Sequence, residues 1–248
     1  MLPARARARS SPAPSTDVIA ASVAEYWSRP FLAGSIVTSS DSFVLTVNDG
    51  LPDDRRVQVL TVPGQPTRAV VRPDVVSALG SVRDAIGLQS ALIAAGITLN
   101  GADNLYYLPV DARARASTID PEIRRLTSAD ADLFARFELA TSEQDRDDSF
   151  VELDHWAVFG AIVEGEVVSA ASAYPFADSP VADIGVLTVE SARGRGFGRR
   201  VVRALGDYAL GQGLEPQFSC QLDNAASIAL AERVGLELFG TWDVVAPD

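Results

Sequence analysis

The sequence contains no lysine, and its 248 residues include one cysteine, one histidine and one methionine. Because Cys220 has no second cysteine to pair with, no internal disulfide can form, and a reducing cytoplasm is compatible with the composition. Together with His155 it also supplies too few ligands for the usual zinc sites. We therefore expect neither a disulfide framework nor a metal centre.

Long apolar runs are missing as well. No run approaches the roughly 20 residues that a membrane span needs, so we expect a soluble, cytoplasmic protein with no membrane partner. Residues 1–15 contain arginines but lack the apolar core of a secretory signal, and we predict a disordered tail there. The use of arginine in place of every lysine suggests a GC-rich bacterial genome.

Acidic residues outnumber basic ones, but unevenly along the chain. The net charge is −12; residues 1–118 carry eleven arginines and ten acidic residues, whereas residues 119–248 carry ten arginines and twenty-three acidic residues. Nucleic acid is not expected as a partner, because this acidic half would repel phosphates. A cationic or amine-bearing partner fits the charge better.

The most informative stretch runs from Val186 to Arg200. An alternating apolar run ends there, Gly194, Gly196 and Gly198 follow among arginines, and a helical pattern begins at once. A strand that enters a helix through a glycine turn directs several backbone N–H groups at one point, which favours a phosphate ligand. The G-x-G-x-G spacing fits neither the dinucleotide motif nor, without lysine, the nucleoside triphosphate loop. A surface turn that binds nothing is the alternative.

Two motifs carry a family resemblance. Arg193 to Gly198 (R-G-R-G-F-G) resembles the signature [Q/R]-x-x-G-x-[G/A] of the GCN5-related N-acetyltransferases (GNAT), and Asn224 to Leu236 resembles their late helix, N-x-x-[SA]-x-x-[LY]-x-x-x-x-G-[FL]. Between residues 121 and 245 the predicted order is strand, helix, acidic loop, three strands, helix, strand, helix, strand, which is the order of that fold. The resemblance implies direct transfer of an acetyl group from acetyl-coenzyme A to a primary amine of a small molecule or a peptide.

The resemblance also implies which residues hold the cofactor. The pyrophosphate of coenzyme A (CoA) would lie on the backbone amides of Arg195, Gly196, Phe197, Gly198, Arg199 and Arg200. The pantetheine arm would pair with the strand before the turn, at Leu187, Thr188 and Val189. Asn224 commonly contacts the cofactor in this family, although a helix cap explains it equally well.

The catalytic residues are less fully specified. Asp183 corresponds to a carboxylate that many members place on the strand before the turn, so it is our candidate general base; a solvated strand-start residue is the alternative. The tyrosine that often serves as the acid is replaced by Ala231. Tyr174, Ser219, Ser227, Cys220 or solvent could take its place. The loss of the tyrosine also leaves open a non-catalytic acyl-CoA-binding or sensing module, or a pairing domain without cofactor.

Two further features have open interpretations. His155 is either a base or acceptor contact, or it packs against the indole of Trp156. An acidic cluster lies where the family builds its acceptor site, with Arg146 as the one basic residue: Glu138, Glu143, Asp145, Asp147, Asp148, Glu152 and Asp154. It either attracts an ammonium group or is a solvated loop.

The predicted fold class is α/β with a mixed sheet, divided into two domains. We place a GNAT domain at residues 119–248 and a smaller N-terminal α+β domain at 16–115, because apolar periodicity ends between Asp111 and Asp120. The first helix is expected to start at Thr16 or Asp17 and to end before Pro30. The N-terminal domain could be a degenerate GNAT-like half, a cap on the acceptor site or a dimer interface, and a homo-oligomer is left open.

Overall fold

The computed structural model describes residues 19–113, 120–175 and 179–246. These residues form a mixed α/β structure with seven α-helices and one 11-stranded sheet. The predicted tail at 1–15 and the capping positions Thr16 and Asp17 lie outside the described residues. Each helix of the described ranges is too short or too polar to cross a membrane.

The helices are α1 (Ala21–Leu32), α2 (Pro73–Leu79), α3 (Ala85–Ala94), α4 (Ala131–Leu139), α5 (Glu143–Ser149), α6 (Phe197–Gly211) and α7 (Ala225–Val234). The strands are β1 (Ser35–Ser39), β2 (Phe43–Val47), β3 (Val57–Thr61), β4 (Thr67–Val71), β5 (Asp103–Tyr107), β6 (Ile123–Leu126), β7 (Ala157–Val163), β8 (Glu166–Pro175), β9 (Val181–Thr188), β10 (Glu215–Gln221) and β11 (Glu237–Val244).

The sheet joins the two halves of the chain. Its strand order is β1-β2-β4-β3-β11-β5-β10-β9-β8-β7-β6. Strand β5, which comes from the first half, lies between β10 and β11 and is antiparallel to both. The predicted domains therefore share one sheet, while their boundary near residue 115 stays a prediction, since residues 114–119 are not described.

Helices cover the sheet through apolar stripes. Phe197, Val201 and Leu205 recur at helical spacing on α6 and are buried in the core of the second half. Trp27 and Phe31 of α1 are buried in another cluster that includes Tyr107. Tyr106 belongs to the first of these clusters and Tyr107 to the second, so these neighbouring residues of β5 point to opposite faces of the sheet.

The first half departs from the sequence prediction at two elements. Helix α1 continues past Pro30 to Leu32, because buried Phe31 extends the apolar face of Trp27 by one more turn. The side-chain amide of Asn48 also donates to the carbonyl of Pro30, at 2.9 Å. The prediction that Pro30 ends the helix was wrong, and the largely exposed edge strand β1 was not predicted.

Candidate active site

Strands β9 and β10 are paired at one end only. Their parallel register covers Val181–Asp183 and Glu215–Gln217 and stops there. The rest of β9, Ile184–Thr188, keeps its antiparallel pairing with β8 on the other side. Among the described residues, this part of β9 has no strand partner toward β10, so the two strands leave a wedge between them.

A cavity of about 400 Å³ occupies the wedge. The residues that line it are Asp145, Asp148, Ser149, Phe150, Tyr174, Asp183, Ile184, Gly185, Val186, Leu187, Thr188, Arg193, Phe218, Ser219, Asn224, Ala226, Ser227 and Leu230. The lining thus combines three carboxylates with one guanidinium group. Such a surplus of negative charge favours a cationic ligand.

The glycine turn leads directly into α6. Gly194 and Gly196 have φ of 74° and 84°, which only glycine adopts at little cost, and Gly196 caps the helix. The N–H groups of the first helical turn have no acceptor within the helix, which leaves Phe197, Gly198 and Arg199 able to donate to an anion.

Arg200 does not fit the predicted set of phosphate-binding amides. Its N–H already donates to the carbonyl of Gly196, at 3.2 Å. Its guanidinium also binds Asp120, at 2.5 Å, and Glu122, at 2.7 Å. Arg200 therefore fixes α6 to the chain before β6. Both its amide and its guanidinium group already bind other groups of the protein.

Gly198 brings the turn against the cavity wall. Unlike Gly194 and Gly196 it has no positive φ; instead, a Cβ atom on Gly198 would lie 3.4 Å from the Thr188 hydroxyl and 3.8 Å from Leu230. Thr188 and Leu230 both line the cavity. The start of α6 therefore lies directly beside the wedge.

The other three arginines of the turn differ in their partners. Arg193 pairs with Asp145 at 2.9 Å and donates from Nε to the carbonyl of Thr188 at 3.2 Å, so it bridges the turn, α5 and β9. Arg195 and Arg199 are exposed, and neither forms an ion pair with a carboxylate of the described residues. These two guanidinium groups can reach an external anion.

Two of the three residues predicted to bind the pantetheine arm line the cavity. Leu187 and Thr188 line the cavity, whereas Val189 is buried and its N–H donates to the carbonyl of Val168 at 3.0 Å. Asn224 caps α7, because its side-chain oxygen accepts the N–H of Ser227 at 3.0 Å, and it also lines the cavity. The capping interpretation of Asn224 is thus confirmed, and a cofactor contact stays a prediction.

Asp183 lies where the two strands part. Its carboxylate accepts hydrogen bonds from Gln217 Nε2 at 3.0 Å, from the Ser219 hydroxyl at 3.3 Å and from the Tyr174 hydroxyl at 3.4 Å. Burial raises the pKa of Asp183, while these three donors oppose that rise. Asp183 is therefore a partly buried, hydrogen-bonded carboxyl on the cavity wall and not a solvated strand-start residue.

The candidates for the acid separate into two groups. Tyr174, Ser219 and Ser227 line the cavity, whereas Cys220 does not; Cys220 is buried, and that burial raises the pKa of its thiol. Burial and the nearby Asp183 raise the pKa of Tyr174 to about 12, so its hydroxyl keeps its proton at neutral pH. Ala231 is fully buried in the core.

His155 supports an aromatic group beside the cavity. Its ring contacts those of Phe150 and Tyr174, with centroid distances of 5.0 and 5.2 Å, and these two rings also contact each other at 5.5 Å. Its Nδ1 is 2.8 Å from the Ser172 hydroxyl. The predicted contact with the Trp156 indole was wrong, because that ring packs against Tyr208.

The predicted acidic loop contains a helix, α5, which brings two carboxylates to the site. The Ser142 hydroxyl accepts the N–H of Asp145 at 3.0 Å, and Gln144 donates to Asp148 at 2.8 Å one turn later. Of the acidic cluster, Asp145 and Asp148 line the cavity. A capping serine followed by acidic residues was the available signal for this helix, whereas no pattern indicated the roles of Phe150 and Gln217.

Comparison with known proteins gives one family match. Residues 124–236 match the model described as the acetyltransferase (GNAT) family. No curated protein matches the sequence.

Several solved structures are similar to the chain. One is a GCN5-related N-acetyltransferase from Kribbella flavida, with 17% identity, a TM-score of 0.49, and coverage of 93% of this chain and 96% of that one. An acetyltransferase of the GNAT family from Colwellia psychrerythraea has 16% identity, a TM-score of 0.48, and coverage of 87% and 82%. A GNAT-family protein from Novosphingobium aromaticivorans has 21% identity and a TM-score of 0.45; the match covers 60% of this chain and 66% of that one, just under two thirds of its length.

Proposed function

We propose that the GNAT acetyltransferase domain at residues 124–236 transfers an acetyl group from acetyl-CoA directly to a primary amine, and that the acceptor is cationic. The observation that carries this proposal is the wedge between β9 and β10. Asp183 lies where the strands part, and the glycine turn borders the same cavity through Gly198. The candidate base and the candidate anion-binding turn thus lie at the same cavity.

Neighbouring parts of the site would bind successive parts of acetyl-CoA. Leu187 and Thr188 would hold the pantetheine arm, and the first N–H groups of α6 would hold the pyrophosphate, with Arg195 and Arg199 beside it. Bound acetyl-CoA would supply the acetyl group as a thioester, whose C–S bond breaks as the acceptor nitrogen bonds to the acetyl carbon. Most of these contacts would come from backbone groups. This explains why glycines, which set the backbone conformation, are the recognisable feature of the site.

Asp183 is our candidate base for the acceptor. An amine reaches the site as an ammonium ion, and it becomes a nucleophile only after it loses a proton. A carboxylate with a raised pKa holds that proton more strongly than an ordinary aspartate, while it still attracts the cation. Activity should accordingly increase with pH through the pKa of Asp183.

Tyr174 is our candidate acid. It lines the cavity beside Asp183 and keeps its proton at neutral pH, so it can donate that proton to the departing thiolate. Phe150 and His155 hold its ring in place. Replacement of Tyr174 by phenylalanine should lower turnover without a change in acetyl-CoA affinity.

The other walls favour a cationic acceptor. Asp145 and Asp148 bring negative charge from α5, and the ring of Phe150 presents an aromatic face at the same cavity. Carboxylates with an aromatic ring are a common environment for ammonium groups. We therefore expect acceptors with a second positive charge to be preferred over neutral amines.

Three measurements test the proposal in sequence. Saturating acetyl-CoA should raise the melting temperature, because a ligand that binds only the folded state stabilises it. Thiol release with a panel of mono- and diamines should then identify an acceptor. Asp183→Asn should lower kcat by roughly 100-fold or more and leave the acetyl-CoA Kd unchanged.

Each result has a distinct meaning. No melting shift would reject a cofactor site altogether. A shift without thiol release for any amine would favour the alternative, a non-catalytic acyl-CoA sensor. Wild-type turnover in Asp183→Asn would reject the base assignment alone.

A further inference from the structure

A buried chain of hydrogen bonds reaches Asp183 from the first half of the protein. Trp27 of α1 donates from Nε1 to the hydroxyl of Tyr107 at 2.7 Å. Tyr107 of β5 donates to the side-chain oxygen of Gln217, and Gln217 of β10 donates from Nε2 to Asp183 of β9 at 3.0 Å. Four side chains on four elements thus form one path.

The first three side chains of this path are sealed from solvent, and the path reaches the cavity only at Asp183. Tyr107 is 0% exposed, Gln217 is 2% exposed and Trp27 is 5% exposed. A buried polar group that loses its partner is costly, so each bond limits the alternatives open to the next group. The polar path crosses a region that is otherwise apolar, where Phe239 packs edge-on against the Tyr107 ring.

Every donor in the chain points toward the carboxylate. The indole of Trp27 can donate a hydrogen bond but cannot accept one, so the Tyr107 oxygen is the acceptor of that bond. The Tyr107 proton is then directed to its other neighbour, the side-chain oxygen of Gln217. A side-chain amide has one acceptor side and one donor side, so the Gln217 oxygen that accepts from Tyr107 forces the NH₂ group toward Asp183. The orientation of Gln217 is therefore set by groups from the first half of the chain.

We propose that Trp27, Tyr107 and Gln217 are positioning residues, which hold the Asp183 carboxylate oriented and charged for acetyl transfer. This inference rests on the proposed function of Asp183 as the base. It gives the N-terminal segment a role in the chemistry: α1 and β5 supply the part of the path that the GNAT domain itself lacks. A purely structural role would stabilise the fold without influence on the titration of Asp183.

Other charged and titratable groups also influence Asp183. Tyr174 of β8 donates to it, and Asp103 of β5 raises its pKa by charge repulsion. Asp145 and Asp148 of α5 and Arg193 of the turn line the same cavity. None of these groups changes when the hydroxyl of Tyr107 is removed, so a variant at Tyr107 isolates the buried path.

The direct test is the titration of the Asp183 carboxyl carbon by NMR in the full chain, with Asp183→Asn to assign the resonance. Tyr107→Phe should raise the pKa of Asp183 by about half a pH unit, and Gln217→Met, which removes the donor itself, by about one unit. Tyr106→Phe is the matched control, because Tyr106 is the adjacent residue of β5 and lies on the opposite face of the sheet. It should leave the pKa unchanged.

Equal pKa values in Tyr107→Phe and Tyr106→Phe would overturn the inference. If Tyr107→Phe does not fold, Trp27→Phe takes its place; its expected shift is smaller but in the same direction, and no shift would again overturn the inference. In active protein, the acidic limb of the kcat/KM pH profile should move with the pKa of Asp183. Absence of acetyl transfer in the wild type would reject the proposed function, whereas a fixed pKa across the variants rejects the positioning role.

Discussion

Gly185 of β9 lies against the main chain of Ser149, and a methyl group on Gly185 would overlap the Ser149 carbonyl oxygen. This close approach seats the end of α5 on the strand that borders the cavity. Phe150 follows in the left-handed conformation, with φ of 48°, and directs its ring into the site. The acidic wall of the cavity therefore depends on a hydrogen atom at position 185.

Gly185→Ala should displace the Ser149–Phe150 segment from β9. We expect a loss of about 1–3 kcal/mol in the free energy of unfolding, because an added methyl group in a close-packed contact forces the backbone to shift. The KM for the acceptor should rise several-fold, while the acetyl-CoA Kd stays close to the wild-type value. Denaturant unfolding and steady-state kinetics check both effects. Weakened acetyl-CoA binding with an unchanged acceptor KM would contradict this assignment of the two sub-sites.

Asp183→Asn should change how stability depends on pH. Below about pH 3.8, the carboxyl is protonated in both the folded and the unfolded chain and its pKa shift has no effect. As the pH rises above that value, the unfolded chain releases the proton first, so wild-type stability falls until the pH passes the raised pKa of the folded state. Relative to Asp183→Asn, the wild type should lose about 1.4 kcal/mol for each unit by which the pKa is raised.

Urea unfolding of both proteins between pH 3 and pH 8 measures this difference. The constant offset between them reflects the exchange of an oxygen for an amide group, so the slope is the informative quantity. Parallel curves across the whole range would show that burial does not raise the pKa of Asp183. The slope needs no substrate, and it is therefore independent of the proposed activity.

Gly198→Val should weaken acetyl-CoA binding. Since a Cβ atom at this position would already touch Thr188 and Leu230, the branched side chain would enter the cavity beside the turn. We expect a rise in Kd of at least about tenfold, equal to about 1.4 kcal/mol, measured by calorimetry. Gly211→Val is the matched control, because Gly211 lies on the same helix and a Cβ there meets no atom within 4 Å. An equal Kd in the two variants would place the cofactor elsewhere.

Asp148→Asn should raise the KM for cationic acceptors by roughly three- to tenfold at low salt, because it removes a carboxylate from the cavity wall. The effect should shrink as salt screens the charge, and neutral amines should be unaffected. Asp147→Asn makes the same change in charge on the next residue of α5, outside the cavity lining. If both variants raise KM equally, the acidic segment acts through its net charge and not as a wall of the site.

Local patterns in the sequence predicted the strand, the glycine turn and the helix that lie beside the cavity. The alternating strand, the glycines and the apolar stripe of α6 all fall within a short stretch, and their geometry follows from neighbouring residues. The exception is Arg200, whose partners Asp120 and Glu122 are distant in sequence. The pairing of its guanidinium could therefore not be predicted from neighbouring residues. Its backbone N–H is a separate, local matter: it donates within α6 to the carbonyl of Gly196, so Arg200 falls outside the predicted set of phosphate-binding amides.

The surroundings of the candidate base could not be predicted in the same way. The sequence named Asp183 as a candidate, but Gln217 is 34 residues away from it, Tyr107 is a further 110 residues from Gln217, and Trp27 is 80 residues from Tyr107. Helix α5 was missed for a different reason: it has no apolar periodicity, and its formation depends on the Ser142 cap and on its contact with Gly185.

Because β5 lies between β10 and β11, the sheet can form only after both of these strands have been synthesised. Both of its partners, β10 and β11, come much later in the sequence, and 110 residues separate Tyr107 from Gln217. During synthesis, β5 therefore has neither of these two partners until β10 and β11 emerge from the ribosome. Long-range pairing of this kind is slow, and exposed edges invite association with other chains. Strands β10 and β11 complete both halves of the sheet, so a chain that is truncated or stalled before β10 leaves the first half incomplete as well.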